Sequence, residues 1–293
     1  MNPRHPAEQS ATSDAAVPQR DMLGEYYRID RELGQGGMAT VYLCTDLRTG
    51  QHAAVKLLRP KLGNVITRER FFREIRFAAA LEHPRIPRVL ETGVSKGLPF
   101  YAMTYVEGES LRQRLDREPP LEVGESLRIA REVTIPLSYG HARGIIHRDI
   151  KPENILLSGR EVYILDFGVA RAIIGSADDT LTRTGITVGT PAYMSPEQVR
   201  ADRALDRRSD IYSLGCVLYE MLSGAPPFRG ATPYLLMASR FTTPPQPLRA
   251  MRADVPESVE RAIAKAMALV PEHRWQSAEQ FSAALDDSTP AAN

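Results

Sequence analysis

One run of residues constrains this chain more than any other: Ile146-His147-Arg148-Asp149-Ile150-Lys151-Pro152-Glu153-Asn154-Ile155-Leu156-Leu157, with Asp166-Phe167-Gly168 beginning seventeen residues after Asp149. It packs two carboxylates, an amide, an ammonium and an imidazole into a short span that ends in an apolar strand. An Asp there can accept or orient a hydroxyl proton. An Asn and a second Asp can hold Mg2+, and a Lys can steady a transferring phosphoryl group. Phosphoryl transfer asks little more of a protein than such positioning and charge neutralisation. Each piece alone is within reach of chance; the order and spacing together are not.

Two further elements lie upstream. Leu33-Gly34-Gln35-Gly36-Gly37-Met38-Ala39-Thr40-Val41 stands between two strand-like segments. Glycines let backbone N–H groups approach phosphate oxygens with no Cβ in the way. The same residues equally suit a Gly-rich hairpin. A strand rather than a helix follows, and no Gly-Lys-Ser/Thr closes the loop, so it is neither a dinucleotide fingerprint nor a Walker A loop. Ala53-Ala54-Val55-Lys56 then ends an apolar strand with a lysine. That lysine either snorkels to solvent or binds phosphate oxygens with Glu74 as its partner. Glu74 lies on the apolar side of the next helical pattern, where an unpaired charge is costly.

Around these motifs the chain changes texture. Residues 1–24 are rich in Ala, Pro, Ser and Gln without periodicity and read as a disordered tail, as do residues 287–293. From Tyr27 short strands alternate with turns, interrupted by one helical pattern (Phe71, Phe72, Ile75, Ala78, Ala79) that Pro84 stops. After Leu111 long amphipathic helices dominate. The expectation is an α+β, bilobal fold: a β-rich first lobe over 25–103, a hinge at 104–108 and a larger helical lobe over 109–286. Ligands usually sit in the cleft between such lobes. Pro136 falls inside the helix expected over Ser126–Ala142 and predicts a kink near Thr134.

Composition narrows the classes of function. The 293 residues carry 37 basic and 36 acidic side chains, a formal net charge of +1, so no basic excess exists to hold nucleic acid or an anionic membrane surface. Hydrophobic residues at 43% and a mean hydropathy of −0.29 are ordinary soluble values. Cys44 and Cys216 lie far apart in core-like segments and read as buried reduced thiols. No signal peptide and no run of about 18 apolar residues is visible. The chain therefore reads as cytoplasmic, alone or as the cytosolic part of a longer membrane-anchored protein.

With Val188-Gly189-Thr190-Pro191-Ala192-Tyr193-Met194-Ser195-Pro196-Glu197 and Arg208-Ser209-Asp210-Ile211-Tyr212-Ser213-Leu214-Gly215 added, the chain resembles a eukaryotic-like (Hanks-type) serine/threonine protein kinase of the bacterial branch, from Tyr27 to Phe281. The resemblance implies ATP with Mg2+, or Mn2+ in its place, and protein substrates. Residues 33 to 41 would cover the phosphates, with Leu33, Val41 and Ala54 above the adenine and Leu156 beneath it. Met103 resembles the gatekeeper, and the backbone of Thr104 to Val106 would hydrogen-bond adenine. Lys56 would touch the α- and β-phosphates and pair with Glu74. Asp149 resembles the catalytic base, Lys151 would stabilise the γ-phosphoryl, and Asn154 and Asp166 would hold the metal. Glu197 would tie to Arg274, and Asp210 would brace the catalytic loop. Lys151 and Thr190 point to Ser/Thr rather than Tyr specificity.

Arg148 directly before Asp149 implies activation by phosphorylation of the loop between Asp166 and Glu197. Thr182 and Thr184 stand where bacterial relatives carry phosphothreonines; turn-rich segments also favour threonine. Pairing with a second copy, through the first lobe or for trans-autophosphorylation, fits the family. Ala39 replaces the third loop glycine, Thr104 the usual hinge glutamate, and Trp275 a common proline. A pseudokinase would have lost Asp149, Asn154 or Asp166, and a small-molecule kinase of related fold would lack the Ser-Pro-Glu segment.

Overall fold

The computed structural model describes residues 22–36, 39–59, 72, 75–76, 79–167, 191–202 and 204–286. Gly37, Met38, Glu74, Thr182 and Thr184 lie outside them.

The first lobe is built on one antiparallel sheet. Its strands are β1 (Met22–Leu23), β2 (Tyr27–Gln35), β3 (Ala39–Asp46), β4 (His52–Leu58), β5 (Val89–Ser95) and β6 (Leu98–Thr104). Their spatial order is β1-β2-β3-β4-β6-β5. Met22 and Leu23, which composition places in the tail, pair with Arg28 and Tyr27, and Leu23 is buried. Order thus begins before Tyr26, because one large apolar side chain finds the sheet.

Alternation along the strands divides the sheet into two apolar layers. Ala54 and Leu58 of β4 join Tyr101 and Met103 of β6, Ala39 and Ile75 on the cleft side. Ala53, Val55, Phe100 and Ala102 join Leu23, Tyr27 and Cys44 on the other. Phe72, Ile75, Arg76 and Ala79 carry helical backbone, in line with the pattern read before Pro84.

Across the hinge, β7 (Glu109–Ser110) pairs with β8 (Ile155–Ser158), and β8 with β9 (Glu161–Ile164). Ser110 also opens helix α1 (Leu111–Arg117) with a reciprocal capping box to Gln113. The larger lobe gathers α2 (Val123–His141), α3 (Pro196–Val199), α4 (Arg208–Ser223), α5 (Pro233–Thr242), α6 (Leu248–Met251), α7 (Glu257–Ala266) and α8 (Ala278–Asp286). Helix α4 is buried from Ser209 to Leu222. It is the core around which α2 and α7 pack.

Helix α2 runs without interruption from Val123 to His141, with Pro136 inside it. The proline removes the N–H that would bond the Glu132 carbonyl, and the Thr134 hydroxyl donates to the neighbouring Arg131 carbonyl at 2.6 Å. Val133, Thr134, Pro136 and Leu137 are all buried, and packing against α4, α8 and β9 holds the helix where propensity alone would end it.

Candidate active site

The loop from Ile145 to Lys151 leaves α2 and re-enters the structure at β8. Arg148 takes a left-handed conformation, φ 69°, which a non-glycine residue adopts only when its surroundings enforce it. Asp210, fully buried at the start of α4, accepts the His147 N–H through Oδ2 and the Arg148 N–H through Oδ1, both at 2.8 Å. His141 Nε2 lies 2.7 Å from Oδ2. Gln198 donates its amide to the Arg148 carbonyl at 2.7 Å. Burial alone would push the Asp210 carboxyl up; the bond and charge from His141 hold it below its ordinary value.

His147 is itself completely buried. Its Nδ1 accepts the Asp149 N–H at 3.2 Å, so the ring proton sits on Nε2 and bonds the Leu165 carbonyl at 2.8 Å. Both nitrogens are committed, and the ring packs on Phe167 with centroids 5.0 Å apart. It joins the catalytic loop to the segment that carries Asp166 and is no general base.

On this support Lys151 Nζ lies 2.7 Å from Asp149 Oδ2. The Asn154 amide nitrogen reaches the same oxygen at 3.0 Å and the Asp149 carbonyl at 2.8 Å. That orientation spends the amide's donors on Asp149 and leaves its oxygen as the atom able to accept a cation.

Lys56 Nζ meets Asp166 Oδ2 at 2.5 Å, and the Tyr101 hydroxyl donates to Oδ1 of the same carboxylate. Asp166 also has a left-handed backbone, φ 60°. Its burial raises the carboxyl pKa, but the neighbouring ammonium and the two bonds outweigh that and hold it below the usual value. The lysine's described partner is thus Asp166; the pairing with Glu74 expected from the sequence lies outside the described residues. Phe167 behind it is buried against α2 at Gly140, where a Cβ would come within 2.3 Å of the ring.

Leu33, Val41, Ala54 and Met103 converge in one apolar cluster. Leu156 is half-buried on β8 of the other lobe, paired with Ser110 and Tyr163. Gly34 and Gln35 pair with Val41 and Thr40, and the Gly36 N–H bonds the Ala39 carbonyl at 2.9 Å. A Cβ on Gly34 would meet nothing within 4 Å, so internal packing does not explain this glycine. Val106 is half-buried in the hinge. Thr104 is bound through its backbone N–H and its hydroxyl to Arg88. Gly108 is required by sterics, since its Cβ would fall 2.3 Å from the Leu157 carbonyl oxygen.

Beneath the loop, Arg274 donates to both oxygens of Glu197 at 2.7 Å, and Ser209 adds a third bond at 2.6 Å. Trp275 packs half-buried and gives its N–H to Ala262 at 3.0 Å, beside α7. Tyr101, His141 and Gln198 are polar contributors that motif reading does not mark. Tyr101 is signalled only by its position two residues before Met103, on the same strand face.

Among the described residues no group of three or more His, Cys, Asp and Glu is placed to hold a metal ion. Asn154 and Asp166 instead offer two hard oxygen donors, the kind Mg2+ takes when phosphate and water complete its shell.

This two-lobed architecture matches a family: the protein kinase domain aligns with residues 27–284. The chain belongs to the protein kinase family. It is 40% identical over 269 residues to the serine/threonine-protein kinase PknB of Mycobacterium tuberculosis, covering 90% of this chain and 43% of PknB. It is 39% identical over 276 residues to PknD of the same species, covering 93% of this chain and 41% of PknD. The chain thus spans about two-fifths of the length of these relatives. The crystal structure of the M. tuberculosis PknI kinase domain superposes with a TM-score of 0.71 at 28% identity, covering 94% of this chain and all of that one. PknB and PknD are serine/threonine-protein kinases, and the protein kinase family works with ATP and a divalent metal.

Proposed function

We propose that this domain transfers the γ-phosphoryl group of ATP to serine and threonine hydroxyls of proteins. The observation that carries this is the convergence of Lys151 and Asn154 on Asp149, with Lys56 on Asp166 opposite. In this reading the Asp149 carboxylate orients the substrate hydroxyl and receives its proton as the new O–P bond forms and the bond to ADP breaks. Lys151 faces the charge that builds on the γ-phosphoryl oxygens. Lys56 serves the α- and β-phosphates, under a loop whose Gly34 leaves room for them. Asn154 and Asp166 hold the divalent cation, Mg2+ or Mn2+, which supplies charge neutralisation to the phosphates when bound. Leu33, Val41, Ala54, Met103, Val106 and Leu156 enclose the adenine.

Regulation follows from Arg148. It precedes the catalytic carboxylate, and a phosphate on Thr182 or Thr184 is the counter-charge such a site would recruit. Those phosphates arise by autophosphorylation, in trans if two copies meet through the first lobe or through the catalytic face. No described helix is long and apolar enough to cross a membrane. In this reading the domain works in the cytoplasm, whether free or as part of a longer anchored protein.

The test is incubation with ATP and Mg2+, with phosphosites mapped by mass spectrometry, beside Asp149→Asn. The variant should lose about 10²- to 10⁴-fold in rate, and phosphate on Thr182 or Thr184 should appear in the wild type alone. Nucleotide binding without phosphate incorporation in the wild type would sink the reading in favour of a pseudokinase.

A further inference from the structure

We infer that the Tyr101 hydroxyl is a positioning group for the metal: it latches the Asp166 carboxylate in the cleft, so that the cation finds an oxygen already in place. The inference rests on the reading of Asp166 as the metal-holding residue.

The geometry begins with register. Tyr101 of β6 lies directly opposite Lys56 of β4, so the two side chains leave the sheet on one face. Both end on the same carboxylate, Tyr101 on Oδ1 and Lys56 on Oδ2. Met103, two residues on, sits on the same face and lines the nucleotide side of the cluster, which places Tyr101 one step deeper. The Tyr101 residue is 1% exposed, among Ala39, Leu58 and Ile75. Any large apolar side chain would fill that space. The hydroxyl is the part that filling does not explain, and a hydroxyl is costly in such a place without an acceptor.

The two grips on Asp166 differ. In the proposed reaction Lys56 is shared with the phosphates, whereas the tyrosine has no phosphate to serve. A carboxylate oxygen accepts more than one partner, so Oδ1 can keep the phenol while the carboxylate takes a cation. Asp166 stands at φ 60°, a conformation held only by its surroundings. Were it to swing out, Tyr101 would give up a charged acceptor where water does not reach.

The experiment is a Mg2+ titration of fluorescent-ADP binding, repeated in EDTA, with melting of the nucleotide-free protein alongside. Tyr101→Phe should raise the half-saturating Mg2+ concentration about tenfold, the scale of one hydrogen bond to a charged acceptor. Binding in EDTA should stay within about twofold. Tyr101→Met, a different apolar filler, should show the same Mg2+ deficit, since only the hydroxyl is at issue. Tyr27→Phe removes a tyrosine–carboxylate bond of 3.2 Å, to Glu91, on the far face of the sheet. It should lower stability without moving the Mg2+ dependence.

An unchanged or lowered Mg2+ requirement in both Tyr101 variants overturns the latch, as does an equal rise in Tyr27→Phe. Asp166→Asn separates the two readings. If it retains the wild-type Mg2+ dependence, the assignment of Asp166 fails. If it loses that dependence while Tyr101→Phe does not, the latch alone fails.

Discussion

Asp210 and Asp166 are both carboxylates held below their ordinary pKa against the pull of burial, yet they are built for opposite purposes. Asp210 spends its oxygens on two backbone N–H groups and an imidazole, all within the larger lobe. Asp166 spends its oxygens on two side chains from the other lobe. The first arrangement cannot change without dismantling a loop that holds Arg148 in a left-handed turn. The second joins two bodies through side-chain tips and can exchange partners when a ligand arrives. Permanence comes from backbone donors and complete burial, and adaptability from long side chains meeting at a cleft.

The comparison breaks most visibly at the Glu197–Arg274 pair, which belongs with Asp210. Arg274 is 1% exposed, so Arg274→Ala strands a buried carboxylate. Stability should fall by about 3–5 kcal/mol, on the order of 10 °C in Tm for a domain of this size. Burial works to raise the Glu197 pKa, but the Arg274 and Ser209 bonds bring it below the ordinary value. Its stabilisation is then complete above the unfolded carboxyl value of about 4.3 and is lost as pH falls through the lower folded value. The gap between wild type and variant in denaturant melts should therefore be widest near neutrality and close below about pH 4. A gap independent of pH would mean that packing, not charge, makes the pair matter.

Asp210→Asn is the next largest. The amide can accept one of the two loop N–H groups but turns its own N–H toward the other. We expect a loss of about 2–4 kcal/mol and a catalytic defect, because Arg148 and Asp149 lose their anchor. Gly140→Ala probes the floor under Asp166 instead. Its Cβ would meet the Phe167 ring at 2.3 Å, so overpacking should cost about 1–3 kcal/mol and displace the segment carrying Asp166. Phosphotransfer should fall further than the change in melting temperature explains.

The charged residues of both parts were legible in the sequence; the partners that the fold brings to them were not. His147 through Asn154 and Asp166 stand out because their chemistry fixes their type and spacing, whereas Glu197, Asp210 and Arg274 are marked only by the family resemblance. The two-lobed division showed as the change from short alternating strands to long helices. Tyr101 did not show, because an aromatic residue in an apolar strand satisfies alternation whether or not its hydroxyl is used. Only cross-strand register reveals that it stands opposite Lys56. His141 reads as the end of an amphipathic helix until α4 places Asp210 beside it. Pro136 keeps its place inside α2 for the complementary reason: local propensity is outweighed by the burial of the residues around it.

The smallest stability effect expected is at Lys56, and it is the sharpest test of the contrast. Lys56→Met keeps the length of the side chain and removes the charge that faces Asp166. If the pair were a fastener like Glu197–Arg274, the loss would again reach several kcal/mol. The Lys56 and Asp166 side chains are 17% and 15% exposed, however, so water from the cleft can solvate the carboxylate left behind. Asp166 also keeps the Tyr101 hydroxyl. The cost should stay near 1 kcal/mol or below, within the range of partly solvated ion pairs, a shift of only a few degrees in Tm. Phosphotransfer should nevertheless be almost abolished, because the group that faces the phosphates is gone. A large fall in Tm in the nucleotide-free protein would show that Lys56 holds the lobes together even before ATP binds, and the distinction between the two carboxylates would collapse.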